Sequence, residues 1–196
     1  MVSSRLRSFS NGITSPIAEV IDRFGISPNM ITFVSLFFSI AAAYMFTENN
    51  LVFAFYMLLL ASISDLMDGA VARVSNRVTQ LGGILDSIID RYSDAIILLG
   101  LAIYLDSHFL LIFIVLVGTL MVSYTRARVE NEIQKCAVGI AERAERLILL
   151  MVATLIEAFN IFPKVDAFYL VLIILALITH LTVLYRFYYT YTVLSS

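Results

Sequence analysis

Five aspartates stand where a strongly apolar chain would not be expected to keep them. Asp65 and Asp68 lie three positions apart, and Asp86, Asp90 and Asp94 follow at intervals of four, all within long apolar stretches. An acidic side chain inside a bilayer costs at least ~2.5–3.5 kcal/mol on insertion scales, so a membrane helix retains one only where something compensates it. Spacings of three and four put each set on one helix face. An antiparallel hairpin around Val74 to Gln80 would bring the two faces together, and the carboxylates would converge. Bare carboxylates at close quarters repel one another, and a divalent cation is the economical way to neutralise them. Oxygen ligands with no His or Cys nearby favour a hard ion, Mg²⁺ or Mn²⁺, over zinc. A purely structural ion-pair network is the bland alternative. The cations among these acids are Arg73 and Arg91, and two cations cannot offset five anions. Asp94 is the deepest of the five, and orienting its helix suits it as well as chemistry does. His108 and His180 are expected to be structural, and the single thiol Cys136 can form neither an internal disulfide nor a cysteine metal site.

The elements that must carry these acids are membrane helices. Of 196 residues, 60% are hydrophobic and 14% charged, and the mean hydropathy is +0.91, against about a quarter charged residues in a soluble chain. Apolar segments at about 28–47, 51–73, 81–105, 108–128, 141–160 and 166–188 each approach or exceed the ~20 residues that span a hydrocarbon core. Polar or proline-containing breaks at Glu48-Asn49-Asn50, Ser75-Asn76-Arg77, Asp106-Ser107, Asn131 to Val138 and Phe162-Pro163-Lys164 separate them. The expected fold is therefore an all-α integral membrane protein of six transmembrane helices. Ahead of them, Leu6, Phe9, Ile13, Ile17, Val20, Ile21 and Phe24 recur near helical spacing among charged residues, which predicts an amphipathic helix on the membrane surface, kinked at Pro16. The organisation is then an interfacial helix over 1–27 and a membrane domain over 28–196. Met1 to Asn11 lacks the apolar stretch and cleavage site of a signal peptide.

With even alternation of spans, Arg5, Arg7, Arg23, Arg77, Arg126, Arg128, Lys135, Arg143, Arg146 and Arg186 share one face and Lys164 the other, which makes that face, both termini and the acidic site cytoplasmic. A cation transporter would distribute its acids across the membrane, whereas these stay in one half. A net charge of −2 and the lack of a basic tail argue against nucleic acid as partner.

Written out, Asp65-x2-Asp68-Gly69-x2-Ala72-Arg73-x8-Gly82-x3-Asp86-x3-Asp90 resembles the CDP-alcohol phosphotransferase signature at every fixed position. Eight fixed residues at 7% average usage coincide with odds on the order of 10⁻⁹. The six spans and the Ser27-Pro28-Asn29-Met30-Ile31-Thr32 segment after the surface helix also look like that family. The resemblance implies transfer of a substituted phosphate from a CDP-linked lipid to a hydroxyl acceptor, with release of CMP. It implies one or two Mg²⁺ or Mn²⁺ ions on Asp65, Asp68, Asp86 and Asp90, with Asp90 as general base. It also implies a CDP moiety against Asp68, Gly69, Ala72, Arg73 and Gly82, and a homodimer.

The acceptor must be sought among the remaining charges, which are mostly basic. Arg126 and Arg128 close the fourth span, Arg143 and Arg146 open the fifth on one helix face, and Arg186 ends the sixth. Such a group suits a phosphorylated polyol. The positive-inside rule alone would also place arginines at these helix ends, and accounts for Arg77 and Lys135. The two stretches look like the branch of the family that makes phosphatidylinositol phosphate or its archaeal ether-lipid counterpart from L-myo-inositol-1-phosphate, with Arg126 standing where the bacterial enzymes are expected to have Lys. Glycerol-3-phosphate, a neutral acceptor such as serine or inositol, or a CDP-inositol donor are the alternatives within the family.

Overall fold

The computed structural model describes residues 14–133, 139 and 142–195. Arg5, Arg7, Lys135, Cys136 and the first part of the expected surface helix lie outside them. Within them a short helix, α1 (14–23), precedes six longer ones: α2 (Pro28–Thr47), α3 (Leu51–Val74), α4 (Gln80–Tyr104), α5 (Phe109–Ile133), α6 (Arg143–Ala158) and α7 (Ala167–Leu194). A single 3₁₀ turn, Asp106–His108, joins α4 to α5. Pro16 falls within the described part of α1.

Polar residues set these boundaries. Ser27, Asn50, Thr79 and Asp166 each cap a helix by accepting a hydrogen bond from a first-turn amide, and Glu142 and Glu145 form a reciprocal capping box on α6. Pro28 follows Ser27 at the first position of α2, where its missing N–H costs nothing. At the far ends, Asn49, Asn76 and Asn160 adopt positive φ of 56°, 54° and 48°. The amides that follow, those of Asn50, Arg77 and Ile161, reach back five residues to close the last turn. Two of the polar breaks visible in the sequence are thus helix stops built on an asparagine, and Asn160 makes a third stop just ahead of the break expected at Phe162-Pro163-Lys164.

Four helices are long and apolar enough on their own to cross a membrane: α2, α3, α5 with its preceding turn, and α7. The other two fall short for separate reasons. Helix α4 carries Asp86, Asp90, Arg91 and Asp94, and α6 has 16 residues, a length of about 24 Å at the α-helical rise. The expected fifth span was four residues longer, and its first two positions lie before the start of α6.

Each long helix packs mainly on two others, in the closed order α2–α3–α6–α7–α5–α4. Helices α3 and α4, expected to lie face to face, do not pack along each other; both rest on α2 instead. The contact of α2 with α4 is close enough that a Cβ on Gly100 would stand 2.5 Å from the Ala43 backbone. One end of the ring is filled by an apolar core including Leu58, Leu101, Leu172 and Leu175. Phe46, Tyr104 and Phe168 close it with ring centroids 5.8–6.3 Å apart. A second cluster, Ala18, Ile31, Met67, Ala70 and Val71, docks α1 onto α2 and α3. Large apolar side chains such as Phe33, Phe37, Leu99, Phe113, Leu177 and Leu184 are exposed on the outside, the exterior of a multi-pass membrane protein.

Candidate active site at the junction of two cavities

The polar end of the ring holds two cavities, and the aspartates stand between them. The first is a groove of about 290 Å³ bounded by Asn29 and Thr32 of α2, Asp68, Gly69, Ala72 and Arg73 of α3, Arg77 and Thr79 of the connection, and Gly82, Gly83 and Asp86 of α4. Asp68, Gly69, Ala72, Arg73 and Gly82, expected to contact a CDP moiety, are brought together in its wall. Gly82 leaves the wall low: a Cβ there would stand 2.9 Å from Thr79 Oγ1 and 3.5 Å from Asn29 Oδ1.

The second cavity, of about 370 Å³, lies inside the ring and draws on five helices. Arg126, Arg143, Arg146 and Arg186 line it together with Asp65, Asp90, Asp94, Arg91 and Ser123. Arg128 does not. Its side chain is 62% exposed and pairs with Glu132 at 3.0 Å along α5, because two residues beyond Arg126 the helix surface has turned away from the ring.

Asp65, Asp68 and Asp86 each offer an oxygen, and the three lie within 4.8 Å of one another, a spacing that could hold a metal ion. Asp68 and Asp86 belong to the groove and Asp65 to the arginine cavity, so an ion held here would touch both. The donor set fits a hard divalent cation, being all carboxylate oxygen. Thr32 donates to Asp68 Oδ2 at 2.7 Å and fixes that carboxylate from α2. Asp90, expected as a further ligand, is not in this group. It is engaged by Arg143 Nη1 at 2.6 Å on Oδ1, while Arg91 lies 3.8 Å from its Oδ2.

The charge balance of the cluster differs from the sequence expectation, since α6 supplies cations that the acids' own helices lack. Arg143 pairs with Asp65 and, through Nε at 3.2 Å, with Asp94. Arg146 Nη2 reaches the other Asp94 oxygen at 2.7 Å. Glu142 and Glu145, beside these arginines in sequence, cap the helix through a reciprocal capping box. Arg186 donates to the Val122 carbonyl at 2.5 Å, tying α7 to α5. His108 lies 3.5 Å from Asp166 and against the Tyr169 ring, and His180 contacts the Ala176 carbonyl, both away from the acids as expected.

Sequence reasoning had passed over Thr32, Ser123, and Arg91 as a lining residue. Thr32 and Ser123 carry no signal of their own in an apolar helix, whereas Arg91 directly follows Asp90 and could have been included on charge grounds.

The model of the CDP-alcohol phosphatidyltransferase family matches residues 25–194. The chain belongs to that family. It is 39% identical over 146 residues to the archaetidylinositol phosphate synthase of Pyrococcus horikoshii, covering 74% of this chain and 78% of the relative. It is 36% identical over 189 residues to that of Methanothermobacter thermautotrophicus, covering 96% and 95%. Among solved structures, the phosphatidylinositol phosphate synthase of Mycobacterium tuberculosis with CDP-DAG bound superposes with a TM-score of 0.79 at 29% identity, covering 92% of this chain and 94% of that one. The same enzyme with manganese and citrate gives 0.81 at 28% identity, covering 91% and 89%. As a CDP-alcohol phosphatidyltransferase this chain is a transferase of phospholipid biosynthesis, and its signature residues form the groove and the carboxylate group, except Asp90, which lines the arginine cavity.

Proposed function

We propose that this protein joins a CDP-activated lipid, CDP-archaeol or CDP-diacylglycerol, to a hydroxyl of L-myo-inositol-1-phosphate and releases CMP. One observation carries the reading: a carboxylate group able to hold a metal stands at the junction of a glycine-bearing groove and an arginine-lined cavity. A transferase needs two substrates to meet at one phosphorus, and this arrangement gives each its own cavity. The archaetidylinositol and phosphatidylinositol phosphate synthase relatives support the inositol-phosphate acceptor.

In this reading the cytidine diphosphate occupies the groove, with its pyrophosphate beside Asp68 and Asp86 and within reach of Arg73. The phosphate of the acceptor meets Arg126, Arg143, Arg146 and Arg186, whose planar guanidinium groups suit phosphate oxygens. Mg²⁺ or Mn²⁺ on Asp65, Asp68 and Asp86 would offset the charge that develops on the pyrophosphate oxygens. Arg143 holds Asp90 by Oδ1, which leaves Oδ2 to take the proton of the acceptor hydroxyl. The acceptor oxygen then bonds to the lipid-bearing phosphorus as the bond from that phosphorus to CMP breaks. The acids and arginines share the ends of the helices that the positive-inside rule assigns to the cytoplasm, so α2 to α7 are read as six spans with the site and both termini on that side. Residues 1–27 are read as the interfacial helix, and the family resemblance extends the reading to a homodimer.

Arg126 tests the acceptor half, because it lines the cavity while its ion pair is with Glu130 at 3.1 Å on its own helix. Arg126→Ala is expected to raise the KM for inositol-1-phosphate about tenfold, the effect of one charge-assisted hydrogen bond, without raising that for the CDP-lipid. An unchanged acceptor KM would remove the support for an anionic acceptor in this cavity.

A further inference from the structure

We infer that Asp94 is a positioning residue for the acceptor, holding Arg143 and Arg146 in the geometry that receives the acceptor phosphate. The inference rests on the reading of the arginine cavity as the acceptor site. Asp94 lies outside the carboxylate group that could hold a metal, and it is buried, with its side chain 9% exposed. Each of its oxygens serves a different arginine: Oδ1 accepts from Arg143 Nε at 3.2 Å and Oδ2 from Arg146 Nη2 at 2.7 Å. Two cations that come from one helix are thereby fixed by a single anion from another.

The surroundings make that pairing directional. Asp94 and Arg146 also border a small inner space whose remaining walls are Ile97, Leu98, Val115, Thr119, Leu147, Leu150 and Leu175, so the pair marks the floor where the polar cavity gives way to the apolar core. Charged hydrogen bonds in such low-dielectric surroundings are stronger than in water. Long arginine side chains lose rotamer freedom when they are held in place. Asp94 imposes that loss on folding, and the acceptor phosphate meets donors already aimed. The carboxylates nearest in sequence, Glu142 and Glu145, are occupied by the α6 capping box; Asp65 and Asp90 also hold Arg143, and Asp94 is the carboxylate that bridges Arg143 to Arg146.

Asp94→Asn keeps the shape of the side chain but removes its charge and one strong acceptor. In the full-length protein with Mn²⁺, CMP release is followed against inositol-1-phosphate and, separately, against CDP-lipid concentration. The acceptor KM is expected to rise about tenfold or more, with the CDP-lipid KM and the Mn²⁺ midpoint unchanged within about twofold. A merely structural carboxylate would instead lower the amount of active enzyme or raise both KM values together, and either result overturns the inference, as does an unchanged acceptor KM. If the asparagine variant does not fold, Asp94→Glu carries the test: it keeps the charge but displaces it by one methylene, and the same selective rise in acceptor KM is expected. Arg126→Ala separates the two layers of the argument. A raised acceptor KM in Arg126→Ala beside a wild-type value in Asp94→Asn sinks the Asp94 inference alone, whereas wild-type values in both sink the acceptor reading with it.

Discussion

Asp90 sits one helical turn from Asp86 on α4, yet its carboxylate belongs to the arginine cavity while that of Asp86 belongs to the groove. In the proposed function, a single turn of helix thus separates a group that holds a metal from one that meets the acceptor hydroxyl. Asp90→Asn preserves the shape and can still accept from Arg143, but it cannot take a proton. Turnover is expected to fall by about 10²–10⁴-fold, the usual contribution of a general base, while CDP-lipid and Mn²⁺ binding persist. Near-wild-type turnover in that variant would assign the proton elsewhere. The convergence of the aspartates was legible in their spacing, because three- and four-residue intervals fix a helix face regardless of what packs against it. The entry of Arg143 among them was not. Its partners Asp65, Asp90 and Asp94 lie far back in sequence on two other helices, and no local pattern encodes a contact of that range. For the same reason the sequence left Asp94 between orienting its helix and taking part in chemistry.

At the level of helices, α4 is the element whose placement depends most on its neighbours. Its acids disqualify it as a span on composition, but within the ring they face the two cavities while Leu99 and Ile103 face outward. A crossing helix is therefore expected. Single cysteines in a Cys136→Ser background test this at the exposed positions Gln80 and Ser107, which flank α4. A membrane-impermeant thiol reagent is predicted to reach position 80 only from the cytoplasmic side and position 107 only from the outer side. Labelling of both from one side would contradict the crossing. Helix limits were largely readable, since Ser27, Asn50, Thr79 and Asp166 at the starts and Asn49, Asn76 and Asn160 at the stops act through bonds to their own backbone. The separation of α3 from α4 was not readable. It arises because Gly100 and Ala43 let α2 approach α4 closely, and that preference belongs to a pair of helices rather than to either sequence.

Taken whole, the molecule is a ring sealed at one end and open at the other. The Phe46, Tyr104 and Phe168 cluster and the apolar core beneath it fill the end away from the acids; among the described residues an apolar core thus stands between the aspartates and the far side, which argues against an ion pathway. At the open end the groove and the arginine cavity meet at Asp65, Asp68 and Asp86. In the proposed function, that meeting point serves two anionic substrates and a metal ion. The most direct test is CMP release by the purified protein from CDP-archaeol and from CDP-diacylglycerol, with Mg²⁺ or Mn²⁺, offering inositol-1-phosphate, glycerol-3-phosphate, inositol and serine in turn. Metal-dependent release with inositol-1-phosphate, and not with inositol or serine, is the predicted result. Release with a neutral acceptor alone would contradict it and return the arginines of the cavity to topology.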